Sequence, residues 1–557
     1  MVFPTLFQLA AKSVAQHIHN DNYQIDFNLD TISSNAVVRE LLELDPKNIG
    51  KLKTHKNQLS TLTELDLRNC EIDVEGILNL KNFKLNSLEL GELYHLRTEF
   101  PDPTNSSRID IVSLLDRATN NDSQEHMVHL GFYNNEEFIS GWEEKISKLL
   151  PSLQSIKIKY IELNERFQFS NLCNSFPNLC VLDISYAEDL ETLEGIKNLK
   201  NLQKLVMHNA LTEDVAGYKE LSELKNLRVL DVSEKHFFGV IKVIRNLLAA
   251  DVRMENLEFL DCSMAMVEAH ELKEFVERHP SLKTVVAIFT SCDNSHIPNI
   301  NLLNFLSTDS TLKSLEYAIT NDREDLAEVC ILAVTERLNT NHSQLNDSEI
   351  CRFLNALCYV LREVKDVETK YRAIACFAES SFFQTERFFF SFSLEIPGIV
   401  ELIFKSWEHL KCSETIISTV PLILTVFKRI VDFLRCGRIL QDRLMYFIIE
   451  KTVDLSFHYP ENLRKVISIL IQGNRFMSLE QSTAMCNNKK VIKALFEYAH
   501  YLITIDPSSY QQIMGIIVSH LNQASESTLK YLVSNCQAVE KCYEQIMLIS
   551  YSPSTDS

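Results

Sequence analysis

The chain carries 14 cysteines and 16 histidines among 557 residues, the side chains best suited to hold metals or to act as nucleophiles and bases. Their spacing assembles neither chemistry. The cysteines, Cys70, Cys173, Cys180, Cys262, Cys376 and Cys436 among them, form no C-x-x-C pair and stand at no zinc-ligand interval from a histidine. They read as buried thiols of a reducing compartment. His17, His19, His208 and His409 lack carboxylate or cysteine partners at ligand spacing, which favours surface or hydrogen-bonded core roles. Dinucleotide-binding, Walker, nucleophile-elbow, H-E-x-x-H and EF-hand patterns are absent, and 12 glycines leave little material for phosphate-cradling loops. No metal, no cofactor and no catalytic residue is therefore expected. Aromatic runs at Phe382-Phe383 and Phe388-Phe389-Phe390-x-Phe392 read as helical core, and Asp322-Arg-Glu-Asp325 as the solvated start of a helix.

What remains is recognition by surfaces. Acidic residues outnumber basic ones by 75 to 55, a net charge of −20 that repels phosphate backbones and anionic lipid, so neither nucleic acid nor a membrane surface is an expected partner. Met1 to Ala15 lacks a basic leader and is interrupted by Gln8 and Lys12, against a cleaved signal peptide. No run of 18 uncharged apolar residues occurs. The expected location is the cytoplasm, the nucleus or both.

The elements that must present such a surface are legible in two periodicities. Leu62-Thr-Glu-Leu65-Asp-Leu67-Arg-Asn-Cys70-Glu-Ile72 fits the leucine-rich template L-x-x-L-x-L-x-x-N/C-x-L. The pattern returns at Leu85/Leu88/Leu90/Leu93, Leu153/Ile156/Ile158/Ile161, Leu179/Leu182/Ile184, Leu202/Leu205/Met207, Leu227/Leu230/Val232, Leu257/Leu260/Cys262/Val267 and, fading, Leu282/Val285. The fourth and sixth positions lie two apart on a strand and face the same way, inward. One turn alone cannot bury that face, so turns must stack. Helical spacing over Val240 to Ala250 and Ala269 to His279 predicts an outer helix in each repeat. The interval from Leu93 to Leu153 has room for two or three more turns, with only Val128-x-Leu130 resembling a strand and Asp102-Pro-Thr-Asn-Ser-Ser107 expected to loop out.

Beyond Asn301 the leucine-rich register stops and glycine nearly vanishes. Apolar stripes at Ile350/Phe353/Leu354/Leu357/Leu361/Val364, Leu463/Val466/Ile467/Leu470 and Val491/Leu495/Tyr498/Leu502 predict amphipathic helices. About five or six helical repeats of armadillo or HEAT size would fill the space, separated by turns at Asn339 to Asp347 and Asp506 to Ser509; a compact bundle is the competing arrangement. The expected fold class is an α/β leucine-rich-repeat solenoid followed by an all-α armadillo-like superhelical domain. Its expected divisions are an N-terminal helical segment over 1–50, leucine-rich repeats over 51–300 and helical repeats over 301–550, with a disordered tail from Ser552 to Ser557.

Thr5-Leu6-Phe7-Gln8-Leu9-Ala10-Ala11-Lys12-Ser13-Val14 opens with a capping hydroxyl and sets Leu6, Ala10 and Val14 on one helical face. That helix either closes the open end of the solenoid or docks on a partner. The stretch resembles a BC box, the Ser/Thr/Pro-Leu-x-x-x-Cys-x-x-x-aliphatic pattern by which substrate receptors grip elongin C, with Ala10 in place of the cysteine. Together with leucine-rich and armadillo-like halves it resembles the zyg eleven and zer-one family of substrate receptors for cullin-2 RING ubiquitin ligases. The resemblance implies a non-catalytic receptor: Leu6, Leu9, Ala10 and Val14 would bind the elongin B and C pair, Val37 and Leu41 in the helix from Ile32 to Leu44 would approach cullin-2, and the repeats would bind protein substrates at residues the sequence does not identify. Ser33 or Ser34 stands where the cullin-contacting box carries proline. The family's glycine-recognising pocket is not transferred, because Trp407 lacks the family's following asparagine and its aspartate a turn later. Two other readings stand beside this one: a leucine-rich interaction scaffold without ligase association, and a small-GTPase regulator presenting an arginine, for which Arg68 is not singled out.

Overall fold

The computed structural model describes residues 5–21, 28–70, 72–133, 138–161, 168–188, 190–235, 241–340, 342–410, 416–434, 442–456, 462–474 and 479–535. The proposed tail from Ser552 and the start of the Val240 segment lie outside them. Two compact units divide the chain, Met1–Ser314 and Leu315–Ser557.

The first unit is a solenoid built on one parallel sheet. Its strands are β1 (Glu64–Asp66), β2 (Ser87–Leu90), β5 (His129–Tyr133), β6 (Ser155–Lys159), β7 (Val181–Asp183), β8 (Lys204–Val206), β9 (Val229–Asp231), β10 (Phe259–Asp261), β11 (Thr284–Val286) and β12 (Asn301–Leu303), paired in that order. The register aligns the inward leucines into a row: Leu65 faces Leu88, Leu130 faces Ile156, and Leu182 faces Leu205, which faces Leu230. Each member of that row is at most 2% exposed, as the template requires.

Three expectations change. The interval from Leu93 to Leu153 supplies to this sheet, among the described residues, the one strand expected near Val128-x-Leu130, β5, and so forms one turn where its length has room for two or three. Its turn-rich stretch folds as an antiparallel hairpin, β3 (Pro101–Asp102) with β4 (Asn105–Ile109), closed by Asp102 Oδ1 accepting from the Thr104 amide and hydroxyl at 2.8 Å each. Outer helices do not occur in every turn. Val243–Ala249 and Ala269–Arg278 are α-helical, but the β7 to β8 connection holds only the 3-10 turn Ile196–Asn198 among its described residues. Finally, β12 adds a strand after the leucine register has faded.

The repeat also has a fixed corner. Tyr160, Tyr186, Asn209, Met264 and Phe289 hold positive φ values of 61°, 60°, 52°, 59° and 56°, each seven residues after the leucine that opens its repeat. The amides of the first four donate across to the next turn, as Tyr186 does to the His208 carbonyl at 2.7 Å, while that of Phe289 donates to Asp293 Oδ1 at 3.0 Å. The left-handed corner ends the strand and hands the chain to the outer side.

Among its described residues the second unit is built from helices and short turns. Helices Glu324–Thr340, Val367–Glu379, Ile416–Leu434, Leu463–Asn474 and Pro507–Gln523 pack each on the next, and Asp347–Glu363, Ile396–Leu410 and Asp442–Ser456 form a second row. Two rows of stacked helices are the layout of an armadillo-like array, in place of a compact bundle. The expected stripes are buried: Ile350, Phe353, Leu354, Leu357 and Leu361 in one helix, Val466, Ile467 and Leu470 in another. Phe382, Phe383, Phe388, Phe389 and Phe392 are core rings, the first three in edge-on contact with one another, whereas Phe390 of the same run is 40% exposed and outside the core. The Asp322–Asp325 segment opens helix Glu324–Thr340 as expected, with Asp322 and Glu324 exposed, while Arg323 and Asp325 pair at 3.0 Å with side chains 11% and 15% exposed. Asp506 is the N-cap of its helix and accepts from the Ser509 amide at 3.1 Å.

Candidate functional site: the amino-terminal helix and the open face of the sheet

Helix α1 (Leu6–His19) begins at a reciprocal cap. The Gln8 amide donates to Thr5 Oγ1 at 3.2 Å and the Thr5 amide to Gln8 Oε1 at 2.7 Å, so two of the amides orphaned at the helix start are satisfied by side chains. At the other end Lys51 Nζ donates to the carbonyls of Ile18 and His19 at 2.9 and 2.7 Å, placing a cation on the negative end of the helix dipole. Ala11, Ala15 and Ile18 face inward onto α2 (Thr31–Leu44), whose Val37, Val38, Leu41 and Leu42 receive them.

The opposite side of α1 is bare. Leu6 is 84% exposed and Leu9 51%, with Ala10 exposed beside them. Leu6, Leu9 and Ala10, three of the four residues expected to bind a partner, thus come together at i, i+3 and i+4 on one ridge, the spacing of helix-in-groove anchors. Val14 lies at its margin, half-buried against the core. Phe7, although exposed, stands four residues before Ala11 and so on the side of the buried row, off the ridge of Leu6, Leu9 and Ala10.

Val37 and Leu41 are placed differently from the expectation. They are 2% and 0% exposed and serve the packing of α2 against α1, so they have no surface to offer cullin-2. The exposed apolar residues of α2 are Ile32 and Leu44. Helix α2, and not α1, closes the sheet: Asn35 Oδ1 accepts from the Thr63 and Glu64 amides at 3.0 and 3.3 Å, occupying the edge of β1. An edge strand left open is a template for aggregation, and here a side-chain amide blunts it.

The solvent side of the sheet carries a polar lattice. Glu89 Oε1 sits 2.8 Å from His129 Nε2 and 2.6 Å from Lys157 Nζ, and His129 Nδ1 lies 2.7 Å from Ser155 Oγ. These partners hold the Glu89 carboxyl below its ordinary value against the opposing effect of burial. A Cβ at Gly131 would lie 1.9 Å from Glu89 Oε2, so any side chain there would displace this carboxylate. The order serine, histidine, carboxylate resembles a nucleophile relay. It lacks the electrophilic partner: the Ser155 amide is committed to the Val128 carbonyl at 2.9 Å, and the amides of the strands are spent in the ladder. Farther along, the sequence Leu-Asp-x-Ser repeats at 182–185, 230–233 and 260–263, and Asp183, Asp231 and Asp261 each accept from the serine amide two residues on. That recurrence was present in the sequence and passed unread, because it occupies outward positions. His208 bridges Ser233 Oγ and Tyr186 Oη at 3.0 Å each.

Among the described residues no group of three His, Cys, Asp or Glu side chains is placed to hold a metal ion, and no helix is long and apolar enough to cross a membrane. Burial pushes the Cys70 thiol up to about 11. Trp407 is 1% exposed against Phe404, in the core of its helical layer.

A parallel sheet with one leucine row per turn, followed by two rows of stacked helices, defines a leucine-rich-repeat protein with an armadillo-like second half. Residues 170–275 match the family model described as Zer-1-like leucine-rich repeats. The chain is similar to Gastrulation-defective protein 3 of Caenorhabditis elegans, 30% identical over 318 residues, which are 56% of this chain and 44% of that protein. The chain thus spans less than half the length of that relative. Both findings support the zyg eleven and zer-one family named above.

Proposed function

We propose that this protein is a substrate-recognition subunit of a cullin-2 RING ubiquitin ligase, held by elongin C through α1 and presenting substrate on its repeats. The observation that carries the reading is the two-faced α1. One side is locked to α2 by Ala11, Ala15 and Ile18, while Leu6, Leu9 and Ala10 stand in water at the capped end. Contiguous exposed apolar side chains on a rigid helix are stabilised by a partner groove, and full burial of a leucine contributes roughly 1.5–3 kcal/mol. The Zer-1-like match over the repeats adds the family context. A receptor of this kind needs no catalytic residue of its own. The cullin contact, with Val37 and Leu41 buried, is assigned to the exposed side of α2 around Ile32 and Leu44.

Capture of the purified chain by the elongin B and C pair tests the reading. Wild-type protein should be retained and Leu6→Asp lost, with unchanged circular dichroism because Leu6 makes no core contact. Absence of wild-type capture would favour a leucine-rich scaffold without ligase association.

A further inference from the structure

The open face of the sheet has a site of its own around Tyr133, where two cations lie over one ring and a third stands beside them. Arg68 and Lys159 lie over the Tyr133 ring at 5.3 and 5.0 Å from its centroid. Lys157 is two residues from Lys159 on the same side of β6. Two of these charges are already answered. Arg68 is bidentate on Asp66, at 2.9 Å from Nε and 2.6 Å from Nη2, and Lys157 is bonded to Glu89 at 2.6 Å. Asp183, the carboxylate facing Lys159, is occupied by the hydroxyl and amide of Ser185 at 2.5 and 2.9 Å.

Lys159 is therefore an ammonium with three donors and, among the described residues, no hydrogen bond or ion pair. Its half-buried position costs hydration, and Lys157 and Arg68 repel it. Burial comes first among the causes that lower its proton affinity, and those cations add to it. Beside it runs an aromatic shelf: Tyr160 and Tyr186 stack at 4.6 Å with 10° between their planes, and Tyr160 is 40% exposed. Both residues stand at left-handed corners of the repeat, which sets their backbones alike from one turn to the next.

We propose that this face docks an extended peptide segment carrying one aspartate or glutamate next to an apolar residue, the carboxylate pairing with Lys159 and the apolar side chain lying on the Tyr160 and Tyr186 rings. Lys235 lies over the Tyr186 ring at 5.7 Å from its centroid and adds a second ammonium to the shelf; a carboxylate fits better than a phosphate because the guanidinium fork that a phosphate would claim is held by Asp66. The net charge of −20 opposes adhesion of acidic peptides elsewhere on the chain, so such binding is local. The proposal names the substrate class for the recognition surface in the ligase reading and rests on that reading only there.

The test is fluorescence anisotropy of the full chain with a labelled twelve-residue peptide repeating Glu, Phe and Gly. Its counterparts replace Glu with Lys or one Glu with phosphoserine. The glutamate probe should bind and the lysine probe should not, with affinity falling as salt rises. Lys159→Glu should weaken binding at least about tenfold, a change of about 1.4 kcal/mol, while Lys159→Arg stays within about threefold of wild type and Lys225→Glu, away from the face, leaves it unchanged. Circular dichroism confirms the fold of each variant. Equal binding of the glutamate and lysine probes, or a Lys159→Glu protein with wild-type affinity, would overturn the proposal, and tighter binding of the phosphoserine probe would overturn the carboxylate assignment. Elongin capture is independent of all these arms, so its loss with peptide binding intact would sink the ligase reading alone.

Discussion

Glu234 offers a stability experiment whose sign and size follow from its surroundings. Its side chain follows Ser233 at the end of β9 and the residue is 6% exposed, and burial alone pushes the carboxyl from 4.5 up to about 7. Below pH 4.5 the group is protonated in folded and unfolded chains alike and exerts no penalty. As pH rises from 4.5 to about 7 the unfolded chain ionises first, and the folded state progressively loses stability; above 7 the loss is complete. Each pH unit between the two values is worth about 1.4 kcal/mol, so the penalty at pH 8 is about 3 kcal/mol. Glu234→Gln removes the ionisation and keeps the volume. The variant should equal wild type at pH 4.5 and exceed it by up to about 3 kcal/mol at pH 8. The two tryptophans fall one in each unit, Trp142 and Trp407. Urea unfolding followed by emission in a Trp407→Phe background therefore reports the repeat unit alone. Asp293, raised to about 7 by burial despite amide bonds from Phe289 and Thr290, should leave a residual slope of the same sign in the variant. A Glu234→Gln effect of equal size at both pH values, or a destabilisation at pH 8, would refute the reasoning.

Three further outcomes are expected. Leu205→Ala, at a site with 0% exposure in the leucine row, should lower stability by about 2–5 kcal/mol in the same urea assay. Gly91→Ala would bring a Cβ to 2.4 Å from the Leu67 carbonyl oxygen and 2.8 Å from that of Arg68; both are backbone atoms of the neighbouring turn, so a loss of about 1–3 kcal/mol should appear together with faster amide exchange over β1. Asn35→Ala removes the cap on the β1 edge and should cost about 1–3 kcal/mol. Size-exclusion chromatography should also show more self-association, since the Thr63 and Glu64 amides become free to pair.

The sequence disclosed the repeat architecture because the inward row is constrained twice, by alternation along each strand and by the 23–30 residue return of the same leucine. Where either constraint relaxes, legibility ends. The strand Asn301–Leu303 pairs with β11 yet follows no leucine register. Only β5 joins the sheet from the 60-residue interval, where hairpin and helices take up the chain. Helical spacing at Val37 and Leu41 revealed a buried face without revealing what buries it; the neighbour is α1 and not a partner protein. The lattice of Glu89, His129, Lys157 and Ser155, and the cations around Tyr133, sit at outward positions, which periodicity leaves unconstrained. Gly131 illustrates the difficulty, since the carboxylate that a side chain there would meet belongs to a residue 42 positions earlier in the chain. The Leu-Asp-x-Ser recurrence is an outward signal that does keep the period.

Amide hydrogen exchange over Thr5 to His19, measured with and without the elongin B and C pair, addresses the two-faced helix most directly. Addition of the pair should slow exchange in the first turns, around Leu6 to Ala10, and leave the Ala15 to Ile18 turn, already held by α2 and Lys51, with its protection unchanged. Exchange unaltered along the whole helix at saturating elongin would contradict the account.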